Sequence, residues 1–181
     1  MGRDKASLPF GAETMLQRVV RIVSPEVDGV TVVARAGQVL LGGTSAVFDR
    51  DEFQGPLAAL AAGMEGAQAD QYLVAGCDQP LLEAKLIPFL MDHIGVALAV
   101  VPVLGGGLVP TFAVYHRDVI EAAKALLDSG ERRLSALARH VPTVLVGEDE
   151  LRSIDPDLRS FLQCNTPEEY ERLLLLAGLG P

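Results

Sequence analysis

The sequence contains no tryptophan, and aromatic residues make up only 5% of its 181 positions. Hydrophobic residues reach 49%, so a core is available, but leucine, valine, isoleucine and alanine must form most of it. A chain of this length can bury such a core without structural disulfides or metals. We therefore expect one compact domain spanning residues 1–181.

Cysteine and histidine are also scarce, and neither is arranged as a set of metal ligands. Cys77 and Cys164 lie far apart in the sequence, and the three histidines are scattered. This distribution predicts neither a zinc site nor a redox pair. Free cysteines of this kind are typical of small packed residues rather than catalysts. A reducing cytoplasm is the expected location.

An excess of positive charge is missing as well, since the net charge is −9. Nucleic-acid-binding domains carry a basic face that neutralises phosphates, so we expect no nucleic-acid partner. No apolar run approaches the roughly 20 residues that a membrane helix needs, so we expect no membrane partner. An acidic protein can still bind a nucleotide where local cations, backbone N–H groups and a divalent metal supply positive potential.

The chain does contain short apolar runs that alternate with amphipathic stretches. The runs predict strands at 30–34, 72–75, 96–101, 112–115 and 143–146. The stretches predict helices at 12–23, 55–64, 83–93, 117–127 and 131–139. A last helix has the clearest start, because Thr166 can cap it, Pro167 suits its first position and Glu169 completes a capping box. This alternation predicts an α/β fold with a mostly parallel sheet covered on both faces.

Two aspartates follow predicted strands, at the edge of the sheet where α/β proteins bind ligands. Asp78 comes after the run 72–77 and before Gln79 and Pro80. A carboxylate held there suits magnesium, which binds one or two carboxylates together with phosphate oxygens and water. A turn-forming aspartate before proline is the alternative. Asp49 follows the run 46–48 and, taken alone, is typical of a loop carboxylate.

Six short segments follow one another in a distinctive order. They are Gly-Arg-Asp-Lys-Ala at 2–6, Asp49 six residues before Gly-Pro-Leu-Ala at 55–58, and the segments at 77–81, 110–115, 130–133 and 165–169. Their order resembles that of the MobA-type molybdenum-cofactor guanylyltransferases. The resemblance extends from Met1 to about residue 174.

The resemblance implies a Rossmann-like, three-layer nucleotidyltransferase fold and one bound Mg²⁺. It implies transfer of GMP from GTP to molybdopterin, with release of pyrophosphate. By position, Lys5 matches a lysine at the nucleotide phosphates, Asp49 an aspartate near the guanosine, and Asp78 the metal-binding aspartate. Asn165 matches a turn near the metal and the second substrate. The implied protein partners are molybdenum-cofactor biosynthesis proteins and the molybdoenzymes that receive the product.

Two interpretations stay open for Arg132 and Arg133: contact with the molybdopterin phosphate, or the solvated start of a helix. The glycines at 105–107 are similarly open between a flexible loop beside the second-substrate pocket and a hairpin turn. Gln163 stands where family members often have asparagine, which bears on contacts to the base and the pterin.

The largest departure from the family lies at the start. Family members carry a strand and a glycine-rich loop directly before the segment that resembles residues 1–5, whereas this sequence begins at that methionine. In the family, that piece supplies a central strand and backbone N–H groups that cradle phosphates. We therefore expect two strands with unpaired edges, and we expect that the start has been misassigned or the segment omitted.

Two other functions remain as alternatives. A molybdopterin cytidylyltransferase usually carries Pro-Lys where this chain has Asp4 and Lys5, so Asp4 favours guanylyl transfer. The alternative of another class is a non-catalytic nucleotide-binding or partner-docking module. Lys5, Asp49 and Asp78 count against that alternative, because a docking module has no need of them.

Overall fold

The computed structural model describes residues 4–34, 45–48 and 55–180. Its helices are α1 (Met15–Val23), α2 (Gly55–Gly66), α3 (Leu86–Asp92), α4 (Ile120–Asp128), α5 (Leu134–His140), α6 (Glu148–Arg152) and α7 (Pro167–Leu176). Its strands are β1 (Pro9–Phe10), β2 (Glu13–Thr14), β3 (Thr31–Ala34), β4 (Ser45–Phe48), β5 (Gln71–Ala75), β6 (Ala99–Leu104), β7 (Gly107–Leu108), β8 (Phe112–His116) and β9 (Thr143–Val146). None of the helices in these ranges has the length and apolar composition to cross a membrane.

A five-stranded mixed sheet forms the centre of the molecule, in the order β5-β8-β6-β7 with β9 also paired to β6. Strands β5, β6 and β9 run in one direction, because β5 and β6 are each antiparallel to β8 and β9 is parallel to β6. Strands β3 and β4 form a separate parallel pair, and β1 and β2 form a small antiparallel pair. The predicted α/β class is confirmed, with β7 and β8 as the exceptions to the predicted parallel sheet.

The antiparallel direction of β8 follows from its short connection to β6. Gly105 and Gly106 turn the chain with positive φ angles of +56° and +77°, and β7 then pairs back onto β6. Parallel neighbours need a crossover of a dozen or more residues, whereas only residues 105–111 separate β6 from β8. The hairpin interpretation of the glycines is therefore confirmed, and their place beside a second-substrate pocket stays a prediction.

Helices cover both faces of the central sheet, as the predicted three-layer arrangement requires. One face of β6 and β8 is fully buried against α2, α4 and α5 through Ala99, Val101, Ala113 and Tyr115. The other face is fully buried against α1, α3 and α6 through Val100, Phe112 and Val114. Each large side chain buried in this way stabilises the fold by about 1.5–3 kcal/mol.

A third apolar cluster joins the two ends of the described chain. Leu8, Phe10 and Met15 pack with Cys164 and Leu173. The side-chain hydroxyl of Tyr170 donates a hydrogen bond to the carbonyl of Pro9, which links α7 to β1. This packing holds the one-turn 3₁₀ helix Lys5–Ser7 beside the start of α7.

Several predicted boundaries differ, since the helices predicted at 12–23, 83–93 and 117–127 begin at Met15, Leu86 and Ile120. For two further starts, local contacts that override propensity give the reason. The strand predicted at 96–101 begins at Ala99, since Gly95 has φ +48° and Val96 is fully exposed. The helix predicted at 131–139 begins at Leu134, because the carboxylate of Glu131 accepts the backbone N–H groups of residues 132 and 133. The capping box of the last helix is confirmed, with Thr166 and Glu169 bonded reciprocally.

Strands β3 and β5 each have one unpaired edge within the ranges given above. Strand β3 pairs with β4, β5 pairs with β8, and nothing described pairs with their other edges. All five residues of β5 are only half-buried, although its sequence is apolar from Tyr72 to Ala75. The expectation that the start has been misassigned or a segment omitted stays a prediction.

The hydrogen-bonding direction along β5 can be assigned from its end. The N–H of Gly76 donates to the carbonyl of Thr111 at 2.9 Å, in register with the β5–β8 pairing. Because antiparallel strands alternate between bonded and non-bonded pairs, the N–H groups of Tyr72 and Val74 face β8. The N–H groups of Leu73 and Ala75 therefore face the unpaired edge.

We predict that the amides of Leu73 and Ala75 exchange with solvent at least about tenfold faster than those of Tyr72 and Val74. NMR-detected hydrogen exchange of the chain measures all four rates in one sample. Equal protection of the two sets would contradict the assignment of an open edge to β5.

Candidate active site

The loop that follows β5 presents Asp78 at the carboxyl end of that strand. The N–H of Gln79 donates to the carbonyl of Gly76 at 3.3 Å, which closes a tight turn. A Cβ atom on Gly76 would lie 2.7 Å from Oδ1 of Asp78 and 3.2 Å from Oε1 of Gln79. The turn therefore requires glycine at position 76, because any side chain there would displace the carboxylate.

Lys5 lies directly against this carboxylate. Its Nζ is 2.6 Å from Oδ1 of Asn165 and 3.5 Å from Oδ2 of Asp78. Asp4 caps the 3₁₀ turn that carries the lysine, by accepting from the N–H of Ala6 at 3.3 Å. The side chains of Lys5 and Asp78 remain 33% and 22% exposed, so a ligand can reach both. We call these residues the Lys5–Asp78–Asn165 cluster.

Asn165 is placed by the capping residues of α7 and by the Asp78 loop. Its N–H donates to Oε2 of Glu169 at 2.6 Å, and its Nδ2 donates to Oε1 of Gln163 at 3.4 Å. The preceding residue, Cys164, donates its N–H to the carbonyl of Asp78 at 2.9 Å. The structure thus brings together three of the predicted site residues, from positions 5, 78 and 165.

The remaining predicted site residues are Asp49, Arg132 and Arg133. Asp49 falls outside the described residues. The guanidinium of Arg132 donates to the carbonyls of Leu127 at 2.8 Å and Glu131 at 2.9 Å. Arg133 pairs with Glu131 at 2.7 Å, and this hydrogen bond, together with those from the backbone N–H groups of residues 132 and 133, lowers the pKa of that carboxyl to about 2. These contacts favour the helix-start interpretation, and contact of the two arginines with molybdopterin stays a prediction.

The sequence analysis did not identify some of the residues that support the site. The Nε of Arg18 donates to the carbonyl of Pro80 at 2.7 Å, and its guanidinium lies 5.0 Å from the centre of the Phe10 ring. Ser160 accepts a hydrogen bond from the N–H of Glu83 at 2.8 Å. Both hydrogen bonds join residues more than 60 positions apart, so no local sequence pattern predicts them.

Asp78 offers a donor set that suits a metal bound together with a nucleotide. Within the described ranges, no group of three or more histidine, cysteine, aspartate or glutamate side chains could hold a metal ion. Mg²⁺ commonly binds one or two carboxylates and takes its remaining ligands from substrate phosphates and water. A single half-buried carboxylate beside Lys5 fits that requirement and does not fit a protein-only metal site.

Cys77 adjoins this cluster but lacks the chemistry of a nucleophile. Burial, together with the charges of Asp78 and Asp4, raises the pKa of its thiol to about 11. Burial also raises the pKa of the Cys164 thiol. Because the thiolate is the reactive form, both residues are inert packing groups at neutral pH.

A protein-family model and a named relative both match this chain. Residues 1–144 match the model of the MobA-like NTP transferase domain family. The chain belongs to this family. A relative named molybdenum cofactor guanylyltransferase, from Desulfosudis oleivorans, is 32% identical over 176 residues, which cover 94% of this chain and 86% of the relative.

Solved structures of the same fold include two nucleotidyltransferase relatives. Molybdopterin-guanine dinucleotide biosynthesis protein A from Archaeoglobus fulgidus superimposes with a TM-score of 0.83 at 18% identity, covering 98% of this chain and 92% of that one. The 2-C-methyl-D-erythritol 4-phosphate cytidylyltransferase from Thermus thermophilus gives 0.75 at 21% identity, covering 96% and 94%. The predicted nucleotidyltransferase fold is therefore confirmed.

A third solved structure, Rv0371c from Mycobacterium tuberculosis, is a complex with manganese. It superimposes on this MobA-like chain with a TM-score of 0.69 at 17% identity, covering 94% of this chain and 91% of that one.

Membership of the family makes this chain a nucleotidyltransferase, as the sequence predicted.

We predict that the rate of alkylation of Cys77 by iodoacetamide rises about tenfold per pH unit over the whole range from pH 7 to 10. An ordinary thiol levels off near pH 8.5–9, whereas the raised pKa of Cys77 leaves its thiolate fraction on the order of 100-fold lower at neutral pH. Mass spectrometry of a Cys164→Ala variant follows the single remaining thiol. A rate that levels off below pH 9 would contradict the burial assigned to Cys77.

Proposed function

We propose that this nucleotidyltransferase transfers GMP from GTP to molybdopterin and releases pyrophosphate. The observation that carries the proposal is the Lys5–Asp78–Asn165 cluster, which lies at the carboxyl end of β5. Nucleotide ligands bind at that edge in α/β proteins. The name of the relative from Desulfosudis oleivorans supports guanylyl transfer to the molybdenum cofactor as the specific reaction.

The reaction is an in-line substitution at the α-phosphorus of GTP. An oxygen of the molybdopterin phosphate forms the new P–O bond while the bond to the pyrophosphate oxygen breaks. Such a step depends on positioning and on neutralisation of phosphate charge, so no nucleophilic side chain is needed. The absence of a reactive thiol at Cys77 is consistent with this chemistry.

Lys5 has the geometry to neutralise the leaving group. An ammonium group has three donors, and Asn165 takes one of them at 2.6 Å. The longer contact with Asp78, at 3.5 Å, leaves Nζ free to turn to a phosphate oxygen. Asp78 is the residue that would hold Mg²⁺, and the ion, when bound, supplies further charge neutralisation at the phosphates.

A cavity of about 240 Å³ adjoins Asn165 and supports a place for part of the second substrate. Apolar side chains from residues 161, 162 and 173 line it together with the polar side chains of Gln163, Asn165, Glu169 and Arg172. Small-molecule sites combine apolar surface with polar groups that fix the orientation of the ligand. We place part of molybdopterin there, with transfer of the product to other cofactor proteins and molybdoenzymes in the cytoplasm.

Cytidylyl transfer is the nearest alternative, because a cytidylyltransferase shares the fold. The identity of Asp4, which precedes Lys5, favours the guanylyl reaction. A non-catalytic binding module does not require a lysine, a carboxylate and an amide held together at the end of β5.

We predict that Asp78→Asn lowers pyrophosphate release from GTP, molybdopterin and Mg²⁺ by at least about 100-fold, because the metal that would neutralise the phosphates loses its carboxylate ligand. Asp70→Asn is the matched control, since Asp70 is exposed and precedes the opposite end of β5. The control should retain full activity. Pyrophosphate is measured by a coupled enzymatic assay.

The same assay, together with thermal unfolding measured with and without GTP, separates the alternatives. Activity of Asp78→Asn equal to that of the unmodified chain would remove Asp78 from the mechanism. Turnover with CTP in place of GTP would make the enzyme a cytidylyltransferase. Thermal stabilisation by GTP without any pyrophosphate release would favour the binding module.

A further inference from the structure

Gln79, directly after Asp78, is a polar side chain with no exposed surface. Its Nε2 donates to the carbonyl of Ser160 at 3.3 Å. Its Oε1 is buried and has no hydrogen-bond partner in the described part of the chain. Burying an unsatisfied amide oxygen is unfavourable for folding, so packing alone does not account for a glutamine at this position.

Ser160, which accepts this hydrogen bond from Gln79, is also fully buried. Its carbonyl accepts from Gln79, and its Oγ accepts from the N–H of Glu83 at 2.8 Å. Its own N–H donates to Oδ2 of the buried Asp155 at 2.8 Å. All three polar groups of Ser160 are therefore used, and two of them hold the loop.

The turn that carries Ser160 is itself strained. Leu158 has φ +52°, a conformation that non-glycine residues rarely adopt. Such conformations persist only where surrounding contacts determine them, and they concentrate at functional sites. Here the contacts from Asp155 to Ser160 and from Ser160 to the loop fix the turn.

The Gln79 side chain also bears directly on the position of the Asp78 carboxylate. Both side chains pack against Gly76, with Oε1 of Gln79 at 3.2 Å and Oδ1 of Asp78 at 2.7 Å from the position of its missing Cβ. A Gln79 side chain released from Ser160 would leave the Gly76–Gln79 turn free to shift, and the carboxylate with it.

We propose that Gln79 and Ser160 are positioning residues, which fix the Asp78 carboxylate in the orientation that binds the metal. The inference rests on the proposed function, since it takes Asp78 as the metal ligand. We assign neither residue a direct contact with the substrate or the metal. They act by fixing the Gly76–Gln79 turn. This arrangement lowers the stability of the fold, because it buries an unsatisfied oxygen and holds Leu158 in a strained conformation.

The first test needs no nucleotide. Gln79→Met keeps the size of the side chain and removes its hydrogen bond, while Gln68→Met makes the same change at an exposed position. We expect exchange of the Cys164 amide, which donates to the carbonyl of Asp78, to become about tenfold faster in Gln79→Met. Exchange of the core amides of Val100 and Val114 should not change, and Gln68→Met should match the unmodified chain.

The second test measures metal binding. With GTP present, Mn²⁺ affinity followed by electron paramagnetic resonance should fall about tenfold in Gln79→Met, a size typical of lost outer-shell contacts. In an Asp78→Asn background, Gln79→Met should cause no further loss, because the glutamine acts only through the aspartate. A residue with a merely structural role would lower affinity in both backgrounds.

Ser160→Ala is the second variant, for the case in which Gln79→Met does not fold. It should speed exchange of the Glu83 amide and weaken Mn²⁺ binding about threefold. Unchanged Mn²⁺ affinity with intact core protection in either variant overturns the proposal. So does loss of core protection in both, since the contact would then serve folding alone. If the unmodified chain binds no Mn²⁺ with GTP, the proposed function fails, while the exchange rates still decide the positioning contact.

Discussion

The contact of Lys5 with Asn165 and Asp78 is the interaction on which the site depends. It joins residues 160 positions apart and is possible only because β1 packs on α7. The apolar cluster of Leu8, Phe10 and Met15 with Cys164 and Leu173 supplies that packing. The site is therefore a product of the whole chain, and a change that separates β1 from α7 separates the lysine from the aspartate.

Local signals predicted the elements whose causes are local. The capping box at Thr166 was predictable because its partner lies three residues away, and Asp78 because an apolar strand and a proline bracket it. The antiparallel direction of β8 was not, since it depends on pairing across a turn. The start of α5 was missed because the carboxylate of Glu131 competes with the helix for two N–H groups.

The site was predictable to the extent that a family resemblance assigns chemistry to positions. Lys5, Asp78 and Asn165 meet as that resemblance implied. Arg132 stayed ambiguous because a guanidinium can donate to carbonyl groups as well as to phosphates, and in the structure it donates to carbonyls. The contact between Gln79 and its serine partner had no signal, since it joins residues 81 positions apart through one backbone oxygen.

The most direct test is a crystal structure of the chain with Mg²⁺ and a GTP analogue that cannot be cleaved between its α- and β-phosphates. We expect the metal at about 2.1 Å from a carboxylate oxygen of Asp78. We also expect Nζ of Lys5 on a phosphate oxygen instead of Asn165. Metal and phosphates bound away from the Lys5–Asp78–Asn165 cluster, with Lys5 still on Asn165, would contradict the assignment of this cluster as the active site.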